Sequence, residues 1–242
     1  MLIEVQAKLP GENNRDYSYR VIKEAIMSLR LKPGQSLSEA ETAKALQISR
    51  TPIREVMAKL REEHLVEVIP QVGTYISKIK PTLIEEAIFV RIILEKEILK
   101  QSCISFPKNV LVELKNNIAH QELLLDQKGM EQEFHKLDKQ FHFLIFQGNN
   151  KENVWDSIIR LSTHYNRMRL LAEMNLSFSD AILQHKAIVQ MIENKDVDQV
   201  ETIVREHIIE PTKLWEDLYK PNSPYVEYFD LTKKCQYSRV ET

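Results

Sequence analysis

Two sets of residues in this chain have types and spacings that could do chemistry. Asp138 and His142 stand four apart, which on a helix puts a carboxylate and an imidazole one turn apart on the same face. His185 and His207 lie on either side of a turn at Asn194-Lys195-Asp196, about 10 residues before it and about 12 after it. At about 1.5 Å per residue this is roughly 15 to 18 Å along each helix, so in a helical hairpin the two rings meet at the same height. Neutral imidazoles with one carboxylate suit zinc, nickel or another divalent transition metal ion, leaving a position or two for water or a ligand. The more ordinary reading of the same spacings is a surface Asp–His pair and satisfied core histidines.

The second set is the run Ser49-Arg50-Thr51-Pro52-Ile53-Arg54-Glu55-Val56-Met57-Ala58-Lys59-Leu60. Thr51 reads as an N-cap and Pro52 as the first helical residue, where a missing N–H leaves no intrahelical acceptor unpaired. Ile53, Val56, Met57 and Leu60 repeat at helical spacing toward a core, while Arg50, Thr51, Arg54 and Lys59 stay outside. That is the layout of a helix that touches DNA.

The elements around this run support the reading. Ser38-Glu39-Ala40-Glu41 is a capping box that starts a short helix carrying Ala43 and Leu46 inward and ending near Gln47-Ile48. A turn of three or four residues then leads to Thr51, as in a helix-turn-helix. Upstream, Val21, Ile22, Ala25, Ile26 and Leu29 form one apolar face, stopped by Lys32-Pro33-Gly34. Downstream, Leu65 to Ile69 and Thr74 to Ile79 flank Pro70-Gln71-Val72-Gly73 and read as a two-stranded wing. From Arg15 to Lys80 there are 12 Lys/Arg against 8 Asp/Glu, a net of +4 in a chain whose total is −2. So small an excess means little without the motif it surrounds.

A chain of 242 residues has room for a second domain. Glycine is scarce between residues 82 and 220, and apolar periodicity predicts helices near 82–103, 108–127, 131–147, 151–172, 178–193 and 197–219. The expected fold is mainly α: a winged helix-turn-helix over 15–80, an all-α antiparallel bundle over 81–220, and a mobile or loosely docked tail over 221–242. No long uncharged apolar run and no basic-then-apolar leader is present, so a cytoplasmic protein with no membrane partner is expected, with Cys103 and Cys235 as reduced thiols.

Leu31-Lys32-Pro33-Gly34-Gln35-Ser36-Leu37, the Ser49 to Glu55 run and Gly73 resemble the DNA-binding domain of GntR-type bacterial transcription regulators, over roughly residues 17 to 79. The resemblance implies that Arg50, Thr51, Arg54 and Gly73 meet operator DNA. The chain departs from the family at His64, where Glu-Gly-Leu is usual, and at Ala40, where related regulators sometimes carry a longer polar residue. Phe134-x-x-Leu137-Asp138-x-x-Phe141-His142-x-x-Ile145 with Gly148-Asn149, Gln184-His185-Lys186-x-Ile188, and Val204-Arg205-x-His207-Ile208 are similar to the metal-binding pattern of the FCD effector domain in FadR-type members. Arg91-x-x-Leu94-Glu95 fits the same pattern. This implies metal ligation by Asp138, His142, His185 and His207 at the floor of a cavity that takes a small carboxylate effector. Of the arginines available, Arg91, Arg167 and Arg169, the first has the spacing of its helix's apolar face and is the candidate for the effector's carboxylate.

The function implied is a DNA-binding transcription regulator, a repressor acting as a homodimer on double-stranded operator DNA, and not an enzyme. The rival is a metal-dependent hydrolase or lyase with an accessory DNA-binding domain. Such an enzyme needs a general base beside the metal-bound water, and no His-Glu-x-x-His is present.

Overall fold

Asn13 opens the first helix, its side chain accepting from the Asp16 N–H at 2.9 Å, and α1 (Asn14–Met27) buries Tyr17, Val21, Ile22, Ala25 and Ile26. The computed structural model describes residues 6–125 and 127–232, which fall into two units. The first unit holds residues up to Ile84, Thr163–Met168, and those from Tyr219 on; the second holds Glu85–Ser162 and Arg169–Leu218.

In the first unit Ser38 caps α2 (Glu39–Leu46), accepting from the Glu41 N–H at 3.3 Å. The left-handed Gln47 turns the chain toward α3 (Arg50–Glu62). That helix begins earlier than a Thr51 cap would allow. Ser49, extended at φ −66° and ψ 160°, is its flanking residue and makes no side-chain cap, so Thr51 and Pro52 sit inside the first turn. Pro52 is tolerated there because the N–H groups of the whole first turn lack intrahelical acceptors. Ile53, Val56, Met57 and Leu60 of α3 close the core with α1 and α2.

β1 (Val66–Ile69) and β2 (Gly73–Ile76) form the antiparallel wing, with Val66 opposite Ile76 and Ile69 opposite Gly73. His64, which precedes it, adopts φ +57°, the left-handed conformation that a glycine takes without strain. Both strands are shorter than their apolar runs: the Ser77 N–H still donates to the Leu65 carbonyl at 3.0 Å, but two residues on Ile79 has left the wing and pairs with the segment around Phe229. The loop before α2 adds an edge: the Gly34 N–H donates to the Ile76 carbonyl and the Leu37 N–H to the Thr74 carbonyl, each at 2.8 Å.

The second unit is helical, built from most of α4 (Pro81–Ile104), then α5 (Lys108–Glu122), α6 (Glu131–Gly148), α7 (Glu152–Leu161), the end of α8 (Thr163–Glu173), α9 (Ser179–Asn194), α10 (Val200–Ile208) and α11 (Glu210–Trp215). α5 packs on α6 and α9, and α9 on α10. The single helix expected over 151–172 is two, meeting at buried Ser162 with ψ 22°, a break that no glycine or proline marks. The helix expected over 197–219 is also divided, because Pro211 cannot donate to the carbonyl four residues earlier. Gly148 ends α6 where a Cβ would lie 2.4 Å from the Phe106 ring, and Asn149 ties that end to α4 through Ser102 Oγ at 2.8 Å. Among the described residues no helix is long and apolar enough to cross a membrane.

The expectation of a mobile or loosely docked tail is corrected for the part described, 221–232; residues 233–242, with Cys235, lie outside the described residues. Phe229 is buried and forms a parallel bridge with Ile79: the Ile79 N–H donates to the Tyr228 carbonyl at 2.8 Å and the Asp230 N–H to the Ile79 carbonyl at 2.9 Å. Without periodicity over these residues, the pairing had no sequence signal. The start of α8 is held in the same unit. Fully buried Arg167 donates to the Ser77 carbonyl at 2.7 Å and to Ser77 Oγ at 3.2 Å, and Thr163 Oγ1 donates to the Glu63 carbonyl at 3.0 Å. Burial lowers the Arg167 guanidinium to about 9, which leaves it charged at neutral pH.

His164 is partnered on both edges, accepting from the Lys80 N–H and facing the His64 carbonyl, each at 3.0 Å. Burial, and then Arg167, push its imidazole down to about 2 from 6.5. The unfolded chain therefore takes up a proton here below about pH 6.5 that the folded chain refuses, so stability falls as pH falls from there toward 2. In a His164→Gln variant the slope of unfolding free energy against pH, measured by urea denaturation between about pH 6 and about pH 4, is expected to be shallower by roughly 1.4 kcal/mol per pH unit, one proton's worth. An unchanged slope would show that His164 is protonated in the folded chain.

Candidate metal centre and nucleic-acid interface

α6, α9 and α10 each bring one histidine to a common point in the second unit. One ring nitrogen from each of His142, His185 and His207 lies within 4.8 Å of the others, and all three side chains are buried. The Nε2 atoms of His142 and His207 are 3.0 Å apart, and His185 Nε2 is buried without a hydrogen-bond partner. Asp138, one turn before His142 on α6, places Oδ1 3.3 Å from His185 Nε2 and 4.0 Å from His142 Nε2. All four residues expected from the sequence are thus brought together.

The outer edge of each ring meets an oxygen: His142 Nδ1 is 3.0 Å from Glu95 Oε2, His185 Nδ1 2.8 Å from Gln121 Oε1, and His207 Nδ1 3.0 Å from Gln184 Oε1. A neutral imidazole carries one N–H, and a proton given to an oxygen at Nδ1 leaves a lone pair at Nε2. Three lone pairs then face a shared volume, with two of them closer than acceptors tolerate. A cation resolves that conflict, and the donor set fits a divalent transition metal ion.

Protonation states agree. Burial raises Asp138, but Arg169, then His185 and His142, hold it well below the usual carboxylate range. Glu95 is raised by burial and brought to about 2 by Arg91 and then His142. Burial lowers His185 to about 4 despite Asp138, and it lowers His207 well below its usual value, with His142 and His185 adding to the effect. At neutral pH both carboxylates are ionised and these two imidazoles neutral, the state in which Asp138, His185 and His207 can be ligands and Glu95 can accept the His142 proton.

Arg91 lies beside this cluster, its Nη2 3.4 Å from His142 Nε2, with its Nε donating to Glu95 Oε1 at 2.5 Å. Arg169 donates to Asp138 Oδ1 and, at 3.1 Å, to Glu173 Oε1. A cavity of about 10 Å³, room for one water, abuts His142 and His207 and is otherwise lined mainly by apolar groups such as Leu99, Ile145, Ile188 and Val204. The motif already contained Glu95 and Gln184, though with no role attached; Gln121 carried no signal, because nothing in a lone sequence pairs α5 with α9.

In the first unit Arg50, Thr51 and Arg54 are exposed at the start of α3, and Arg54 reaches Glu39 of α2 only at 3.5 Å with most of its side chain in solvent. Gly73, at φ +152°, is exposed at the end of the wing turn. Lys59, expected on the same outer face, lies over the Tyr19 ring at 3.7 Å.

Two family descriptions match the chain: the FCD domain over residues 86–210, and bacterial regulatory proteins of the gntR family over residues 18–76. An uncharacterized HTH-type transcriptional regulator in an unstable DNA locus of Streptomyces ambofaciens is 31% identical over 204 residues, 84% of this chain and 85% of that one. The HTH-type transcriptional repressor RspR of Escherichia coli (strain K12) is 27% identical over 226 residues, 93% of this chain and 98% of its own. The structure of E. coli McbR/YncC has the same fold, with a TM-score of 0.73 at 17% identity, covering 86% of this chain and 100% of that one. These relatives are transcription regulators, and the hydrolase or lyase alternative is dropped. The chain belongs to the GntR family of bacterial regulatory proteins, as a transcription regulator that carries an FCD domain.

Proposed function

We propose that this chain is a homodimeric repressor whose operator affinity is set by a small carboxylate bound at a metal ion in the helical domain. The DNA contacts lie in 15–80 and the effector site in 81–220, as read from the sequence, while the compact unit around the winged helix also takes in Thr163–Met168 and residues from Tyr219 on. GntR regulators bind operator DNA, and here the contacts fall to Arg50, Thr51 and Arg54 at the exposed start of α3 and to Gly73 of the wing. Two copies present two such helices, which suits half-sites one helical turn, about 34 to 36 Å, apart. The repressor role is taken from RspR, a relative of that name.

The single observation that carries the metal is the meeting of three buried imidazole Nε2 atoms, one of them unpartnered and two only 3.0 Å apart. Asp138 supplies the carboxylate of the set, and zinc and nickel are the ions that three imidazoles and one carboxylate favour. When bound, the ion supplies a Lewis-acidic position for an oxygen of the acid. Charge supports an anionic effector. Three buried carboxylates, Glu95, Asp138 and Glu173, stand against two guanidiniums, Arg91 and Arg169, so a dication leaves one positive charge for a carboxylate to neutralise. Arg91 is the arginine that meets the acid, sharing itself between Glu95 and the ligand. A cavity with room for about one water does not hold a carboxylic acid, so binding must push aside side chains such as Leu99, Ile145 and Val204 on α4, α6 and α10. Regulation then equals the difference in the acid's affinity between the DNA-binding and released states.

Arg50→Ala and Arg54→Ala are each expected to weaken operator binding by roughly 1 to 3 kcal/mol where they reach base edges, with a smaller salt slope as the signature of a phosphate contact instead. Mobility shifts at two salt concentrations separate the two, and unchanged affinity in both variants would remove α3 from the interface. Protein purified without chelator should carry about one divalent transition ion per chain. Zinc or nickel added to chelator-treated protein should raise its melting temperature, the gain in stability being about 2.7 kcal/mol at a free concentration 100-fold above Kd. That rise should be lost in His185→Ala and His207→Ala. A wild-type melting temperature unmoved by either ion would sink the metal reading and the effector mechanism with it.

A further inference from the structure

Two amide relays in the second unit run from backbone carbonyls to the metal-facing histidines, and their polarity can be followed bond by bond. Asn117, on α5 and almost fully buried, lies with its amide 3.1 Å from the Leu137 carbonyl of α6. A carbonyl only accepts, so the amide presents Nδ2 to it and turns Oδ1 the other way. Oδ1 meets Gln121 at 2.7 Å, which must therefore donate through Nε2. Its Oε1 is left facing His185 Nδ1 at 2.8 Å, and Nδ1 must carry the ring proton. The second relay is shorter. Gln184 donates through Nε2 to the Glu206 carbonyl at 3.0 Å and presents Oε1 to His207 Nδ1 at 3.0 Å. Both chains end with the lone pair on Nε2, toward Asp138 and the other imidazoles.

We propose that Asn117, Gln121 and Gln184 are positioning residues of the metal centre, each present to decide which nitrogen of its histidine is the ligand. The inference rests on the metal reading above. A purely structural role does not account for the arrangement. Were the glutamines there only to satisfy buried rings, His185 could carry its proton on Nε2 and donate to Asp138, 3.3 Å away. Gln121 would then have to turn Nε2 to the ring, Asn117 would have to turn Nδ2 to Gln121, and Asn117 Oδ1 would abut the Leu137 carbonyl at 3.1 Å, acceptor against acceptor. The anchors Leu137 and Glu206 are also the chain neighbours of Asp138 and His207, so each relay takes its direction from backbone beside a ligand. For His142 the acceptor is Glu95, a carboxylate that cannot donate when ionised, and no relay is needed.

The test uses full-length, chelator-treated protein and zinc alone. Nitrogen-15 spectra of the histidine rings at neutral pH should show His185 and His207 with the proton on Nδ1. Zinc titrated in competition with a fluorescent chelator should bind Gln121→Leu and Gln184→Leu about 10- to 100-fold more weakly than wild type. Gln184→Glu should recover most of that affinity, because a carboxylate oxygen still accepts from Nδ1, while the Glu206 carbonyl, which loses its donor, lies at the exposed end of the relay and turns to water. Gln184 is only half-buried, so its pair of variants carries the test even if Gln121→Leu fails to fold. Zinc bound by wild type and equally well by both Gln184 variants would overturn the positioning role while leaving the metal reading intact. Rings protonated on Nε2 in the wild type would do the same, and a wild type that binds no zinc would overturn both.

Discussion

A neutral imidazole can offer a proton or a lone pair at a given nitrogen but not both, and within the bundle that choice is made three times around one small volume. Much of the second unit follows from it. α6, α9 and α10 deliver the rings, while α4, α5 and α9 deliver the oxygens that take their outer protons. Packing then fixes the planes: Phe141 stacks on His185 with ring centres 4.1 Å apart, and Trp155 on His142 at 5.8 Å. Rings held by stacking on the face and hydrogen bonding on the edge cannot turn away from one another. The apposition is a property of the whole bundle and not of any one side chain.

His164 shows what a histidine looks like when no ion is needed. It is as buried as His185, yet the Lys80 N–H and the His64 carbonyl use up both of its nitrogens. Arg167 beside it is treated the same way, its charge spread over the Ser77 carbonyl and hydroxyl. In the first unit every buried polar group discussed above finds a protein partner, whereas in the second the inner edge of His185 does not. That difference, more than residue type, separates the two clusters.

The sequence carried the parts of this that depend on local period. Asp138 and His142 fall on one face because of a four-residue spacing, and His185 and His207 meet because the turn at Asn194 lies nearly midway between them. The three-helix core and the wing were legible for the same reason, through apolar spacing and a capping serine. What stayed hidden depends on partners distant in the chain. Gln121 reads as an ordinary polar residue until α9 lies against it, Phe229 has no period to announce its bridge to Ile79, and Ser162 divides two helices without glycine or proline. The start of α3 was displaced because Thr51-Pro52 satisfies a first-turn rule at more than one register.

The bridge between Ile79 and Phe229 makes the winged unit discontinuous in sequence, since 149 residues lie between the two bridged residues and α8 contributes a third piece from between them. During synthesis, the helices and wing up to Ile79 leave the ribosome long before Arg167 and Phe229 do. Until then the Ile79 amide and carbonyl and the Ser77 carbonyl must be satisfied by water. A nascent chain can build the helix-turn-helix core early, but it completes the edge beside the wing only after the helical bundle has been made. Cutting the chain after residue 80 to obtain a minimal DNA-binding fragment would leave that edge permanently open, an unpaired strand of the kind that invites association between copies.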